Sequence, residues 1–272
     1  MPELPEVETT RLGIRASILH QSVREVTIRD YRLRWPVCHE IEQQLPGQII
    51  TAVSRRGKYL LLHSSSHCLI IHLGMSGHLR IVPEGSKAGK HDHADILFSN
   101  HLVLRYNDPR RFGALLWTDQ DPLQHVRLRD LGVEPLTDSF NARLLFEFSR
   151  RRTGPVKSLI MNSQVVVGVG NIYACESLFM AGINPDRAAN KISLKRYARL
   201  VEAIKQVLAR AIKAGGTTLR DFKSSEGKPG YFAQELKVYG RATQACVNCG
   251  SKIKSGLIGQ RNTFWCNRCQ RY

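Results

Sequence analysis

Gly132-Val-Glu-Pro135 is the point at which the chain changes its pattern. Before it, short apolar and β-branched runs recur at Val23–Arg29, Ile49–Arg55, Lys58–His63, Cys68–Leu73, His78–Val82, Ala94–Phe98, Leu102–Tyr106 and Phe112–Thr118, separated by Gly, Pro, Ser and Asn clusters. Eight such runs predict a sandwich or barrel. After it the spacing turns helical, with a helix predicted over Asn141–Arg152, a turn and helix through Gly154–Asn184, and a long amphipathic helix from Ser193 to Lys213. Ahead of the strands, Val7, Ile14 and Ile18 recur at helical spacing and predict a helix over Glu3 to Leu19. The class is α+β, with a first boundary at Pro135.

The 272 residues suffice for two compact domains, and 42% apolar and 23% charged content excludes a disordered, fibrous or disulfide-scaffold chain. Lys and Arg number 40 against 23 acids, a formal charge of +17 that repels itself unless a polyanion is the partner. Nucleic acid is the first expectation. From Leu236 to the C-terminus Lys237, Arg241, Lys252, Lys254, Arg261, Arg268 and Arg271 stand without a single acid, so this tail should face phosphates. No stretch approaches the roughly 18 apolar residues of a membrane span, and Met1–Thr10 is acidic rather than a leader, so a cytosolic protein with no membrane partner is expected.

Cys246-Val-Asn-Cys249 and Cys266-Asn-Arg-Cys269, sixteen residues apart, are four soft thiolates in two chelating pairs. That is the arrangement of one closed, structural Zn2+ site, with no ligand position open for catalysis. Cys38, Cys68 and Cys175 are scattered singly and do not suggest an oxidised framework. Between the pairs, Gly256–Trp265 reads as a β-hairpin presenting Arg261, either a solvated arginine or a phosphate contact, and the acid-free tail favours the second. Gly215–Tyr231, rich in Gly, Ser and Lys, is too long for an ordinary connection and reads as a functional loop. These features divide the chain into 1–134, 135–235 and a metal module over 236–272.

Other motifs leave two readings open. Gly168-Val-Gly170-Asn171-Ile-Tyr173 lacks the strand and third glycine of a dinucleotide loop; its exposed amides fit a phosphate cradle, and equally a packing turn between helices. Asp108-Pro-Arg110-Arg111-Phe112-Gly113 sets two arginines and an aromatic on a proline turn, a duplex wedge unless Phe112 merely opens a strand and joins the core. His91-Asp-His93 looks like a metal pair, although hydrogen-bonded or phosphate-facing histidines explain it as well. Pro2 is either a frayed end or, once Met1 is removed, a secondary amine able to attack an aldehyde-like carbon. With an α-amino pKa of about 7.7–8.0, roughly a tenth of such amines are neutral at pH 7.

Met1-Pro-Glu-Leu-Pro-Glu-Val-Glu-Thr9, Lys58-Tyr-Leu-Leu-Leu62, His72-Leu-Gly-Met-Ser-Gly77, Lys90-His-Asp-His93, Asp108–Gly113, Gly168–Tyr173, Gly230-Tyr-Phe-Ala-Gln-Glu235 and the cysteine module together resemble bacterial formamidopyrimidine-DNA glycosylase across essentially the whole chain. The related endonuclease VIII branch, which prefers oxidised pyrimidines, opens Pro-Glu-Gly-Pro, whereas Leu4 stands here. The resemblance implies an N-terminal β-sandwich with an early helix, a helix-two-turn-helix domain with a base-binding loop at about 215–231, and a C-terminal four-cysteine zinc finger, with DNA crossing between the halves. It implies excision of 8-oxoguanine and formamidopyrimidines, then nicking by β- and δ-elimination, by a monomer acting on duplex DNA with oxidised bases or abasic sites.

Carried over by motif, Pro2 is the nucleophile and Glu3 the proton donor or acceptor. The resemblance implies that Lys58 serves β-elimination and holds a phosphate, and that Arg261 serves the δ step or, better suited to a guanidinium, a phosphate. His72, His91, Arg152, Lys157 and Asn171 are implied to grip backbone, and Met75, Arg110 and Phe112 to fill the hole left by an extruded base. Asn162 departs from the family's usual aspartate after the helix lysine and puts the hold on Lys157 in question. The competing readings are an endonuclease VIII-like pyrimidine glycosylase and a non-catalytic damaged-DNA binder, which needs neither a free Pro2 nor Glu3.

Overall fold

The computed structural model describes residues 2–217 and 232–272. The chain forms two compact units, one built on Met1–Arg129 and rejoined by the chain from Ala214, the other on Asp130–Lys213 and Phe232–Tyr272. Most of the Gly215–Tyr231 loop lies outside the described residues.

The first unit opens with α1 (Leu4–Ile18), started by Pro5 in its first turn and ended before His20, which takes a left-handed φ of 62°. The strands follow as β1 (Val23–Ile28), β2 (Ala52–Arg56), β3 (Tyr59–His63), β4 (Cys68–His72), β5 (His78–Pro83), β6 (Asp92–Phe98), β7 (Leu102–Asn107) and β8 (Ala114–Thr118). Each of the eight predicted runs holds most of one strand, although β2 begins only at Ala52 and β8 only at Ala114. A one-turn helix, α2 (Glu40–Gln44), was not predicted, being too short to show a period.

Among the described residues the strands form two four-stranded antiparallel sheets, ordered β1-β6-β7-β5 and β2-β3-β4-β8. Val26, Leu79, Ile96 and Leu104 of the first sheet, Leu60, Leu62, Leu69, Ile71 and Leu115 of the second, and Val7, Ile14 and Ile18 of α1 make one core. Each fully buried Leu or Ile there contributes about 1.5–3 kcal/mol. The expected sandwich with an early helix is what forms.

In the second unit, α3 (Ala142–Ser149) is capped by Asn141, whose Oδ1 accepts the Leu144 amide at 3.0 Å. The single helix expected within Gly154–Asn184 is two, α4 (Val156–Ile160) and α5 (Asn171–Ala181). Between them Asn162 accepts the Val165 and Val166 amides, and Val166 bridges Val133, which bends the run out of a helical path. The long α6 (Leu194–Lys213) buries Tyr197, Leu200, Val201, Ile204, Val207, Leu208 and Ala211 along one stripe. The hairpin of β9 (Lys254–Ile258) and β10 (Arg261–Trp265) forms where Gly256–Trp265 was expected, starting two residues earlier.

The cysteine module has no core to itself. Val238, Ile253 and Phe264 pack with Cys175 and Phe179 of α5, and the buried Glu176 carboxylate accepts the amides of Lys237, Val238 and Tyr239 at 2.8–2.9 Å. A carboxylate inside an apolar helix is the sequence signal that marks Glu176 as an anchor.

Candidate functional site

Pro2 and Glu3 are buried at the head of α1. Glu3 is the N-cap and forms a capping box with Glu6, whose Oε2 accepts the Glu3 amide at 2.8 Å. Glu6 Oε1 accepts the Thr217 amide, also at 2.8 Å, so one carboxylate ties the N-terminus to the start of the Gly-rich loop. Gly216 takes φ +82° there, and a Cβ on it would press on Glu6 at 3.2 Å. Sequence reading passed over Glu6, although the Glu3-x-x-Glu6 spacing ahead of an apolar helix is its signal.

Lys58 stands in the turn from β2 to β3, where Gly57 takes φ +57°, and Tyr59 pairs in register with His72. The Tyr59 and His72 rings lie 4.7 Å apart, and His72 Nδ1 accepts the Gly74 amide at 3.1 Å, which leaves Nε2 to carry the proton. Burial, followed by the charges of Lys58 and Arg34, lowers the His72 pKa to about 4. The ring is therefore a neutral hydrogen-bond donor at pH 7. Arg34 and Arg127 flank Trp35, their guanidinium carbons 4.9 and 4.1 Å from its ring, and enlarge this cationic face beyond the residues expected from motifs.

Met75 and Phe112 are 36% and 47% exposed, and the Arg110 guanidinium lies 5.3 Å from the Phe112 ring. The alternative in which Phe112 opens a strand does not hold. Asp108-Pro109 turns the chain, Arg111 takes φ +57°, paired to Asp30 at 3.1 Å, and β8 starts only at Ala114. His91 is half-buried with its ring 6.5 Å from that of His93. His93 is the extra residue of a β-bulge in β6, and its Nε2 donates to the Asp108 carbonyl at 2.8 Å.

In the second unit, Gly170 is the N-cap of α5, so the first amides of that helix open beside Asn171. Asn171 Nδ2 donates to the Asn262 carbonyl at 2.8 Å, and Lys157 Nζ donates to Thr263 Oγ1 at 2.6 Å. Both contacts hold the hairpin whose first β10 residue, Arg261, is exposed. Lys157, expected on the surface with the phosphate ligands, is 1% exposed. Arg152 is exposed just after α3. Asn162 spends its side-chain oxygen on the Gln164 amide at 3.0 Å.

The four Sγ atoms of Cys246, Cys249, Cys266 and Cys269 lie within 4.8 Å of one another, with Cys246–Cys269 at 3.8 Å and Cys249–Cys266 at 3.5 Å. A tetrahedron of metal–sulfur bonds of about 2.3 Å has edges of about 3.8 Å, so the thiols fit one closed metal site. Among the described residues this is the cluster of ligating side chains that meets such spacing.

Two family models match the chain: the formamidopyrimidine-DNA glycosylase N-terminal domain over residues 1–115 and its H2TH domain over residues 131–223. The formamidopyrimidine-DNA glycosylase of Alteromonas mediterranea is 55% identical over 272 residues, covering all of both chains. Among solved structures, MutM (Fpg) of Thermus thermophilus superposes with a TM-score of 0.88 at 36% identity, covering 99% of this chain and 98% of that one. Wild-type Lactococcus lactis Fpg, bound to DNA containing N7-benzyl-Fapy-dG, superposes at 0.92 with 32% identity and full coverage of both chains.

Proposed function

Because the chain belongs to the formamidopyrimidine-DNA glycosylase family, we propose that it is a base-excision repair enzyme that removes oxidised purines, 8-oxoguanine and formamidopyrimidines, from duplex DNA and then nicks the abasic strand. The observation that carries this reading is the chemistry at the head of α1, where a buried Pro2 precedes a buried Glu3 that Glu6 holds in a capping box. A damaged-DNA binder has no need of either.

With Met1 removed, the neutral Pro2 nitrogen attacks C1′ of the flipped nucleotide, and the glycosidic bond breaks with its electron pair leaving on the base. Glu3 exchanges the proton that this step and sugar-ring opening require. In the resulting iminium, loss of a C2′ proton expels the 3′ phosphate, and loss of a C4′ proton then expels the 5′ phosphate. Lys58 is the acid–base group of the first elimination, beside a His72 that donates a hydrogen bond to phosphate while uncharged. Met75, Arg110 and Phe112 fill the vacated stack, and Arg110 donates to the orphaned base. Cytosine offers acceptors at O2 and N3, so lesions opposite cytosine are preferred.

His91, Arg152, Asn171, the first amides of α5 and Arg261 grip phosphates. Lys157 supports that grip from inside, through Thr263. The metal at the four cysteines is zinc, whose role is to cross-link the module and keep the hairpin in place. Such thiolates need a reducing compartment, which supports a cytoplasmic location, and no helix among the described residues is long and apolar enough to cross a membrane.

Single-turnover assays on duplexes with one 8-oxoguanine, one formamidopyrimidine or one oxidised pyrimidine test this reading. Release of the purine lesions with strand nicking is the expected outcome. Binding without release, or release of the pyrimidine alone, overturns it.

A further inference from the structure

Met75 and the Arg110-Arg111-Phe112 triplet stand on separate turns, one between β4 and β5, the other between β7 and β8. Beneath the surface these turns are joined. Ser76 Oγ donates to Asp108 Oδ1 at 2.7 Å, with Ser76 5% and Asp108 0% exposed. The same carboxylate accepts the Gly113 amide at 2.8 Å, the Tyr106 hydroxyl at 3.2 Å and the Arg110 amide at 3.3 Å. Ser76 Oγ also lies 3.3 Å from the Arg110 amide.

The backbones meet as closely. Gly74 takes φ +62°, and a Cβ on it would overlap the Phe112 carbonyl carbon and the Gly113 nitrogen. A buried carboxylate is stable only while its lone pairs are filled, and here donors from both turns fill them. Displacing one turn strips acceptors or donors from the other, so the turns have one favourable joint position.

We propose that Ser76 and Asp108 are positioning residues that make Met75, Arg110 and Phe112 a single insertion unit. The proposal rests on the reading that these three residues occupy the vacated base stack. Void filling and contact with the orphaned base then arise together, because the thioether and the guanidinium–aromatic pair cannot be placed independently.

The test compares Ser76→Ala, the double variant Arg110→Ala/Phe112→Ala and the triple variant. Ser76→Ala removes one hydroxyl and leaves the carboxylate its remaining donors, whereas deleting Asp108 orphans several buried groups. Single-turnover excision of 8-oxoguanine is measured opposite cytosine and opposite adenine, alongside nicking of a preformed abasic site. Ser76→Ala is expected to lose about tenfold in excision opposite cytosine and to narrow the cytosine-over-adenine preference, with nicking changed by less than about twofold.

In the double-variant background, Ser76→Ala is expected to cost nothing further, the signature of a shared pathway. Undiminished excision by Ser76→Ala, equal loss of excision and nicking, or full additivity with the double variant overturns the coupling while the insertion reading stands. Wild-type excision by the double variant overturns the insertion reading, and the coupling with it.

Discussion

Lys157 Nζ lies 2.6 Å from Thr263 Oγ1, and the two residues are 1% and 0% exposed. An ammonium so far from water is held by the atoms around it, and Thr263 sits two residues from Arg261 in β10. On the proposed function, Lys157 therefore acts on DNA through the hairpin. Lys157→Met keeps most of the volume and removes the charge. It is expected to weaken duplex binding several-fold while leaving the salt dependence of binding nearly unchanged, since a lost phosphate contact flattens the log–log slope by about 0.9. Arg261→Ala should flatten it by that amount. A full-unit change in Lys157→Met would make that lysine a direct phosphate ligand.

Borohydride should trap a covalent complex between the enzyme and abasic or lesion DNA, because an iminium at Pro2 is reducible to a stable amine. Pro2→Gly, with Met1 removal verified by mass spectrometry, should trap at least tenfold less. Equal trapping and excision by that variant would place the nucleophile elsewhere.

Cys249→Ser should lose metal and duplex affinity together. Four thiolates would fill the coordination shell of a bound metal, and the module that carries them presents Arg261 on a hairpin docked to α5. Metal content by emission spectrometry and binding by anisotropy are the two readouts. Undiminished affinity in metal-free protein would separate the site from DNA binding.

Stability should fall in mild acid in part through His72. Its folded pKa is about 4 against about 6.5 unfolded, so between these values the unfolded chain binds more protons. The contribution is complete above about pH 6.5 and is lost as the pH falls toward 4, amounting to about 2 kcal/mol between pH 7.5 and pH 5. His72→Gln should lose less stability over that interval by a similar amount, as read from urea unfolding at the two pH values. An identical pH dependence in the variant would mean that the imidazole is not held neutral.

Much of this molecule was legible before any coordinates. Short apolar runs between turn clusters, such as Tyr59–His63 with Leu60, Leu61 and Leu62 all buried, mark strands in the core, and the one-sided stripe through Tyr197, Leu200, Ile204 and Leu208 marks α6. The cysteine spacing announced a metal site, since chelation constrains neighbours in sequence as well as in space. Pro2, Glu3, Lys58 and Arg110 stood out by motif.

What sequence could not show are the contacts that close over long separations. Glu6 meets Thr217 across 211 positions, Lys157 meets Thr263 across 106, and Ser76 meets Asp108 across 32. No local periodicity encodes such pairs, because each depends on which backbone donors the packed core leaves unsatisfied once the strands and helices are in place. The same closure decided that Lys157 is inside and Phe112 outside. Identity by itself allowed either position, and the path of the turn after Asp108 and the docking of β10 on α4 and α5 selected one.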